Sequence, residues 1–164
     1  MQKVIHELEP VYDKNSRILI LGTMPSPKSR EFGFYYSHPQ NRLWKVLAEL
    51  FREPAPTAPD EKELFLRKHR IAMWDVLESC IIKGAADSSI ADPVPNDINR
   101  ILSTCKIRAI FTTGKAATDL YRKLCLPVTG RPSIHLPSTS PANCRNYDLK
   151  SLVEAYREIL NYLQ

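Results

Sequence analysis

Apolar residues along this chain follow two alternating patterns. Mostly apolar runs at residues 17–21, 71–76, 107–112 and 133–136 read as buried strands. Between them lie segments with helical spacing at 40–51, 60–69, 96–105, 115–124 and 149–163; in the first, Leu43, Val46, Leu47 and Leu50 share one face. Asp60 and Asn96 stand near helix starts, and Pro54 and Pro127 just beyond helix ends. Strand and helix in alternation predict a mostly parallel sheet of four strands between helical layers, a three-layer α/β/α sandwich. Residues 53–60 carry three prolines and read as a surface connection. Residues 79–95, with Gly84, Asp87, Ser88 and Ser89, lack periodicity and are expected to form a long loop at the rim of the sheet.

Composition narrows the setting. The 164 residues, 43% hydrophobic and 25% charged, suit one domain spanning 1–164. A net charge of +5 favours a polyanionic partner without naming one. Cys80, Cys105, Cys125 and Cys144 are widely spaced, with no pair at zinc-ligand spacing, and read as reduced thiols. With neither a signal-like apolar segment nor a membrane-length run, the chain is expected to be soluble and cytoplasmic. Five glycines, with no G-x-G-x-x-G and an incomplete phosphate loop at Gly114-Lys115, argue against dinucleotide and nucleoside-triphosphate chemistry. Gly114 reads as a strand-to-helix turn.

Candidate chemistry concentrates where strands end. The first run leads into Gly22-Thr-Met-Pro-Ser26, then into Phe32-Gly-Phe-Tyr-Tyr36, then into His38-Pro-Gln-Asn-Arg-Leu-Trp44. In open α/β sheets, ligands bind at the carboxyl ends of strands. The dense aromatics Phe34, Tyr35 and Tyr36 can stack a flat base, a contact worth about 1–3 kcal/mol, or can pack the loop onto the sheet. Asn41 can cap a helix, or its amide can hold a water and bind a polar edge. His38 can donate a hydrogen bond or cap; Asp75, closing the second strand, can read a ligand edge or cap the next element. After the last strand, Pro137-Ser-Thr-Ser140, Asn143 and Arg145 offer hydroxyl, amide and charged partners for phosphate, or form an ordinary turn.

Taken in order, these motifs resemble the uracil-DNA glycosylase superfamily, and most closely its hypoxanthine (deoxyinosine) branch, over nearly the whole chain. Gly22-Thr-Met-Pro-Ser26 occupies the place of the superfamily's first loop, and Leu136-Pro-Ser-Thr-Ser140 that of the second. Pro39-Gln-Asn-Arg-Leu-Trp44 is similar to the P-x-N-R-F-W of mismatch-specific glycosylases. Met24 stands where most members carry a water-positioning Asp or Asn, and in the hypoxanthine branch the essential amide is that of H-P-Q-N-R, which maps onto Asn41.

The resemblance implies a uracil-DNA glycosylase-like fold and hydrolysis of the N-glycosidic bond of a deaminated base flipped out of DNA, initiating base excision repair. It implies Asn41 as the catalytic amide. It implies base contacts from Thr23, Met24, Pro25, Phe34, Tyr35, Tyr36, His38 and Asp75. DNA contacts are expected from Ser26, Lys28, Ser29, Pro137, Ser138, Thr139, Ser140, Asn143 and Arg145, with Arg30 and Arg131 as further phosphate contacts. The expected partner is double- or single-stranded DNA, met by a monomer with no metal cluster, cofactor or membrane, at the nucleoid if the source is prokaryotic. Two rivals stand beside this reading: a mismatch-type uracil or thymine glycosylase, and a non-catalytic binder of nucleotides or damaged DNA.

Overall fold

The computed structural model of the chain describes residues 2–84 and 86–164. Its centre is a four-stranded sheet in the order β3-β2-β6-β7, made of β2 (Ile18–Gly22), β3 (Ile71–Asp75), β6 (Ala109–Thr113) and β7 (Ile134–Leu136). Every pairing in it is parallel. All residues of β2, β3 and β6 are buried, as a sheet covered by helices on both faces requires. The sequence reading of an α/β fold with four strands in this sheet is borne out.

The helices flank these strands. Helix α2 (Leu43–Phe51) packs on α7 (Leu149–Tyr156), α3 (Pro59–Lys68) lies beside β3, and α5 (Lys115–Leu120) beside β6. Helix α2 keeps its apolar face inside through Leu43, Val46, Leu47 and Leu50. Helix α7 begins at Asp148, whose side chain accepts a hydrogen bond from Ser151 N, and continues as a 3₁₀ segment through Arg157–Tyr162.

Four expectations are corrected. Residues 79–95 are not one long loop. Strands β4 (Leu77–Ile82) and β5 (Ala91–Pro95) pair antiparallel, and β4 also pairs with β1 (Gln2–Ile5), giving a second sheet in the order β1-β4-β5. Only about half of β4's residues are buried and β5 carries two prolines, so neither announces itself as a strand; prolines are tolerated because β5 is an edge. Second, helix α4 spans only Asn99–Leu102, because Asn96 does not cap it: the Asn96 amide donates to Asp75 O and Leu77 O, locking the β3–β4 corner.

Third, the helix expected to stop before Pro127 continues. A single π turn at Tyr121–Cys125 joins α5 to α6 (Leu126–Thr129), and Pro127 sits in the first turn of α6, directly after the π turn. Fourth, the loop after β2 contains a short helix, α1 (Pro27–Phe32), capped by the Ser26 hydroxyl and closed at Gly33 with φ +75°. Cys80, Cys105 and Cys125 are buried and Cys144 exposed, all as free thiols. Among the described residues, no helix is long and apolar enough to cross a membrane.

Candidate active site

The carboxyl ends of β2, β3 and β6 open into a cavity of about 360 Å³, a size that suits a small flat ligand. Register places Gly22 beside Asp75, and two backbone bonds, Val76 N to Gly22 O (2.8 Å) and Leu77 N to Thr23 O (3.2 Å), pin the chain after β3 against the loop after β2. A Cβ on residue 22 would stand 2.6 Å from Asp75 Oδ1 and 2.9 Å from the Tyr36 hydroxyl. Glycine is therefore what lets a carboxylate and a phenol converge over the end of β2.

Tyr36 reaches this point because its backbone turns into the left-handed region at φ 52°. Its hydroxyl lies 2.9 Å from Thr113 Oγ1, and its carbonyl accepts from the Trp44 indole N–H at 3.1 Å. Burial first, and then the charge of Asp75, push the Tyr36 phenol well above its ordinary range, so it is a neutral hydroxyl. Tyr35 is 2% exposed, donates its hydroxyl to Glu9 O at 2.8 Å, and forms a wall of the cavity. Phe34 does not line the cavity; it is buried between Tyr35 and Trp44, which is the packing alternative for this aromatic run.

Asp75 is 3% exposed, and its Oδ2 lies 2.8 Å from Nε2 of His6, a residue just past β1. Oδ1 has no hydrogen-bond partner among the described residues and belongs to a residue lining the cavity. Across the mouth, the turn between β4 and β5 contributes Gly84 and Asp87. Asp87 is exposed as a residue, yet its carboxyl is raised above the ordinary aspartate range, first by desolvation and then by the negative charge of Asp75.

Asn41, one residue before the N-cap Arg42, both braces the start of α2 and lines the cavity. Its Oδ1 accepts from Leu43 N (2.9 Å) at the start of α2 and from the Thr139 hydroxyl (2.8 Å) of the loop after β7. An amide oxygen has two lone pairs, so this one is full, and Nδ2 is the part of the amide without a protein partner among the described residues. Its neighbour Arg42 ties the same loop down: the backbone N–H donates to Thr139 O (3.1 Å), and the guanidinium to Ser140 O (3.1 Å) and Tyr147 O. His38 lines the cavity, its Nδ1 accepting from Gln40 N at 3.0 Å.

The loop after β7 is tightly bonded within itself. Ser138 Oγ accepts from Ser140 N, Asn143 Nδ2 donates to Ser138 O, and Tyr156 donates its hydroxyl to Pro137 O at 2.6 Å. Gly114 sits at φ 90°, where a Cβ would touch Ser138 at 3.4 Å, so the turn foreseen there also lets this loop approach β6. Of the expected DNA contacts, Pro137 and Thr139 are buried, and Ser29 is 2% exposed with its hydroxyl accepting from Ser37 N. Ser29 and Thr139 also line the cavity. Ser26, Ser138 and Ser140 line the cavity; Lys28 and Arg145 are exposed, Lys28 paired with Glu31 at 3.3 Å.

Thr23, Met24 and Pro25 line the cavity where the first loop was expected to meet a base. His6 and Thr113 were missed. His6 lies 69 residues from Asp75 and outside any motif, and Thr113 ends an apolar strand, so no local pattern marks either one. Asp87 was read only as loop. Among the described residues, no group of three or more His, Cys, Asp or Glu could hold a metal ion.

A family model, the uracil DNA glycosylase superfamily, matches residues 9–164. The chain belongs to the uracil DNA glycosylase superfamily. Two curated relatives are named hypoxanthine DNA glycosylase. The one from Methanosarcina acetivorans is 36% identical over 137 residues, covering 82% of this chain and 85% of that protein. The one from Methanosarcina barkeri is 30% identical over 151 residues, covering 91% and 93%. A solution NMR structure of a Methanosarcina acetivorans protein, described there as a candidate uracil DNA glycosylase, superposes with a TM-score of 0.79 at 29% identity, covering 97% of this chain and 99% of that one. In this uracil DNA glycosylase superfamily member, both loops and the Asn41 helix start open onto one cavity.

Proposed function

We propose that the chain is a DNA glycosylase that hydrolyses the N-glycosidic bond of a deaminated base, hypoxanthine foremost, and so starts base excision repair. Superfamily membership and two relatives named hypoxanthine DNA glycosylase support the reaction class. The observation that carries the substrate reading is the saturated Oδ1 of Asn41, which leaves the amide N–H donors for a ligand. A keto purine offers O6 and N7 as acceptors. As the bond to C1′ stretches, negative charge grows on the base, and a fixed N–H donor binds that state better than the ground state.

The same geometry refines the role of Asn41. With its oxygen full, the amide cannot accept a hydrogen bond from water, so it grips the base edge and does not aim the nucleophile. Asp75 Oδ1 reads a ring N–H, and Tyr35 and Tyr36 wall the base pocket. Lys28 and Arg145 meet phosphates. The enzyme acts as a monomer on double- or single-stranded DNA, without metal or cofactor, in the cytoplasm and at the nucleoid of a prokaryotic host.

The test is a panel of labelled strands carrying hypoxanthine, xanthine, uracil or a mispaired thymine, treated with the protein and then with alkali. Hypoxanthine strands are expected to break and uracil strands to break slowly or not at all. Robust uracil or thymine cleavage with inert hypoxanthine would hand the substrate to the mismatch type. Salt-sensitive binding with no base release would make the protein a non-catalytic binder.

A further inference from the structure

The base-reading carboxylate is held by a residue outside the segment that matches the family. The family model begins at residue 9, and His6 precedes it. His6 Nε2 stands 2.8 Å from Asp75 Oδ2, with the two side chains 2% and 5% exposed. The imidazole is itself fixed: its backbone N–H donates to Glu78 O at 2.7 Å, its ring lies 5.9 Å from that of Tyr35, and it meets Trp74 edge-on at 6.3 Å. A side chain this enclosed, just past a mostly exposed edge strand, lies outside the apolar core of the four-stranded sheet. What it does is orient a carboxylate.

A carboxylate offers only acceptor oxygens, so at 2.8 Å the His6 Nε2–H is the donor and Asp75 Oδ2 the acceptor. The bond engages one oxygen and leaves the other, Oδ1, as an acceptor without a partner among the described residues, on a residue that lines the cavity. We infer that His6 is a positioning residue for base selection: through Asp75 it demands a ring N–H beside a carbonyl, the pattern of N1–H and O6 in hypoxanthine. Adenine is rejected twice. Its N1 presents a lone pair to the carboxylate, and its amino group faces the Asn41 amide N–H donors, leaving buried polar groups unpaired.

This inference rests on the glycosylase reading. The test compares wild type, His6→Leu and His6→Gln in single-turnover cleavage of duplexes carrying hypoxanthine or N1-methylhypoxanthine, in which the N–H is blocked. Binding to a duplex with a tetrahydrofuran abasic analogue, which has no base to read, reports folding and DNA contact. His6→Leu is expected to lose at least about tenfold in rate on hypoxanthine, with little change on the methylated base, so that discrimination narrows. Abasic binding stays near wild type, and His6→Gln, which restores an N–H donor, regains most of the discrimination. Unchanged discrimination in His6→Leu overturns the inference. So does a loss shared equally by both bases and by abasic binding, which marks a structural role. A wild type inert on hypoxanthine overturns the function reading itself, an outcome visible before any variant is made.

Discussion

A helix cap and a ligand-facing amide are usually rival readings of one asparagine, and at Asn41 they are the same arrangement. Accepting from Leu43 N and from the Thr139 hydroxyl fills the oxygen and leaves the nitrogen without a protein partner among the described residues. Asn41→Asp separates the two roles, since a carboxylate still accepts from Leu43 N and Thr139 but offers no donor to the cavity. Both Asn41→Asp and Asn41→Ala are expected to lower turnover on hypoxanthine by roughly 100- to 1,000-fold. Only the alanine variant also loses the cap, lowering stability by about 1 kcal/mol. A well-folded Asn41→Asp enzyme with a near-normal rate would end the base-edge role. Asp87 gives a pH signature: its folded carboxyl is raised by desolvation and by Asp75. A raised acid binds its proton more tightly in the folded state, so its favourable contribution is complete below the ordinary aspartate range and is lost as pH rises through the folded value. Asp87→Asn is therefore expected to raise the melting temperature at neutral pH and to change it little in acid, as followed by thermal melts across pH.

At the scale of elements, the site is a junction between the first turn of α2 and the loop after β7. Thr139 is 1% exposed, and its only side-chain partner among the described residues is the Asn41 amide oxygen. Thr139→Val keeps the shape and removes the donor, so the amide oxygen gains a free lone pair and the amide is less firmly oriented. Expected are a fall of about tenfold in single-turnover rate and a loss of about 1 kcal/mol in denaturant unfolding. A rate unchanged alongside the stability loss would confine the bond to a structural role. The buried parallel strands β2, β3 and β6 were legible because apolar residues dominate each of them, β2 above all. The sheet β1-β4-β5 was not. Its strands are short, partly exposed and interrupted by register shifts between Leu77 and Ile81, so pairing with neighbours holds them where apolar periodicity does not.

For the whole molecule, a net charge of +5 surrounds a cavity that itself holds two carboxylates, Asp75 and Asp87. In the proposed function, positive charge outside gathers the DNA backbone while the interior tests the base. Affinity for duplex DNA is expected to fall linearly with the logarithm of salt concentration, with a slope of about 0.9 per phosphate neutralised. Arg145→Ala and Lys28→Ala are each expected to lower that slope by about one, measurable by fluorescence anisotropy; a slope that neither variant changes would move the DNA-binding face elsewhere. The sequence by itself determined the α/β class, the four strands, the two loops and the Asn41 motif, because each is written in contiguous residues whose period or order is local. Tertiary structure alone decided which atom of Asn41 faces the cavity, that Phe34 is packing, and that His6 belongs with Asp75. The first and last depend on partners 98 and 69 residues apart, whose meeting is fixed by strand order and loop closure and leaves no mark in the local pattern.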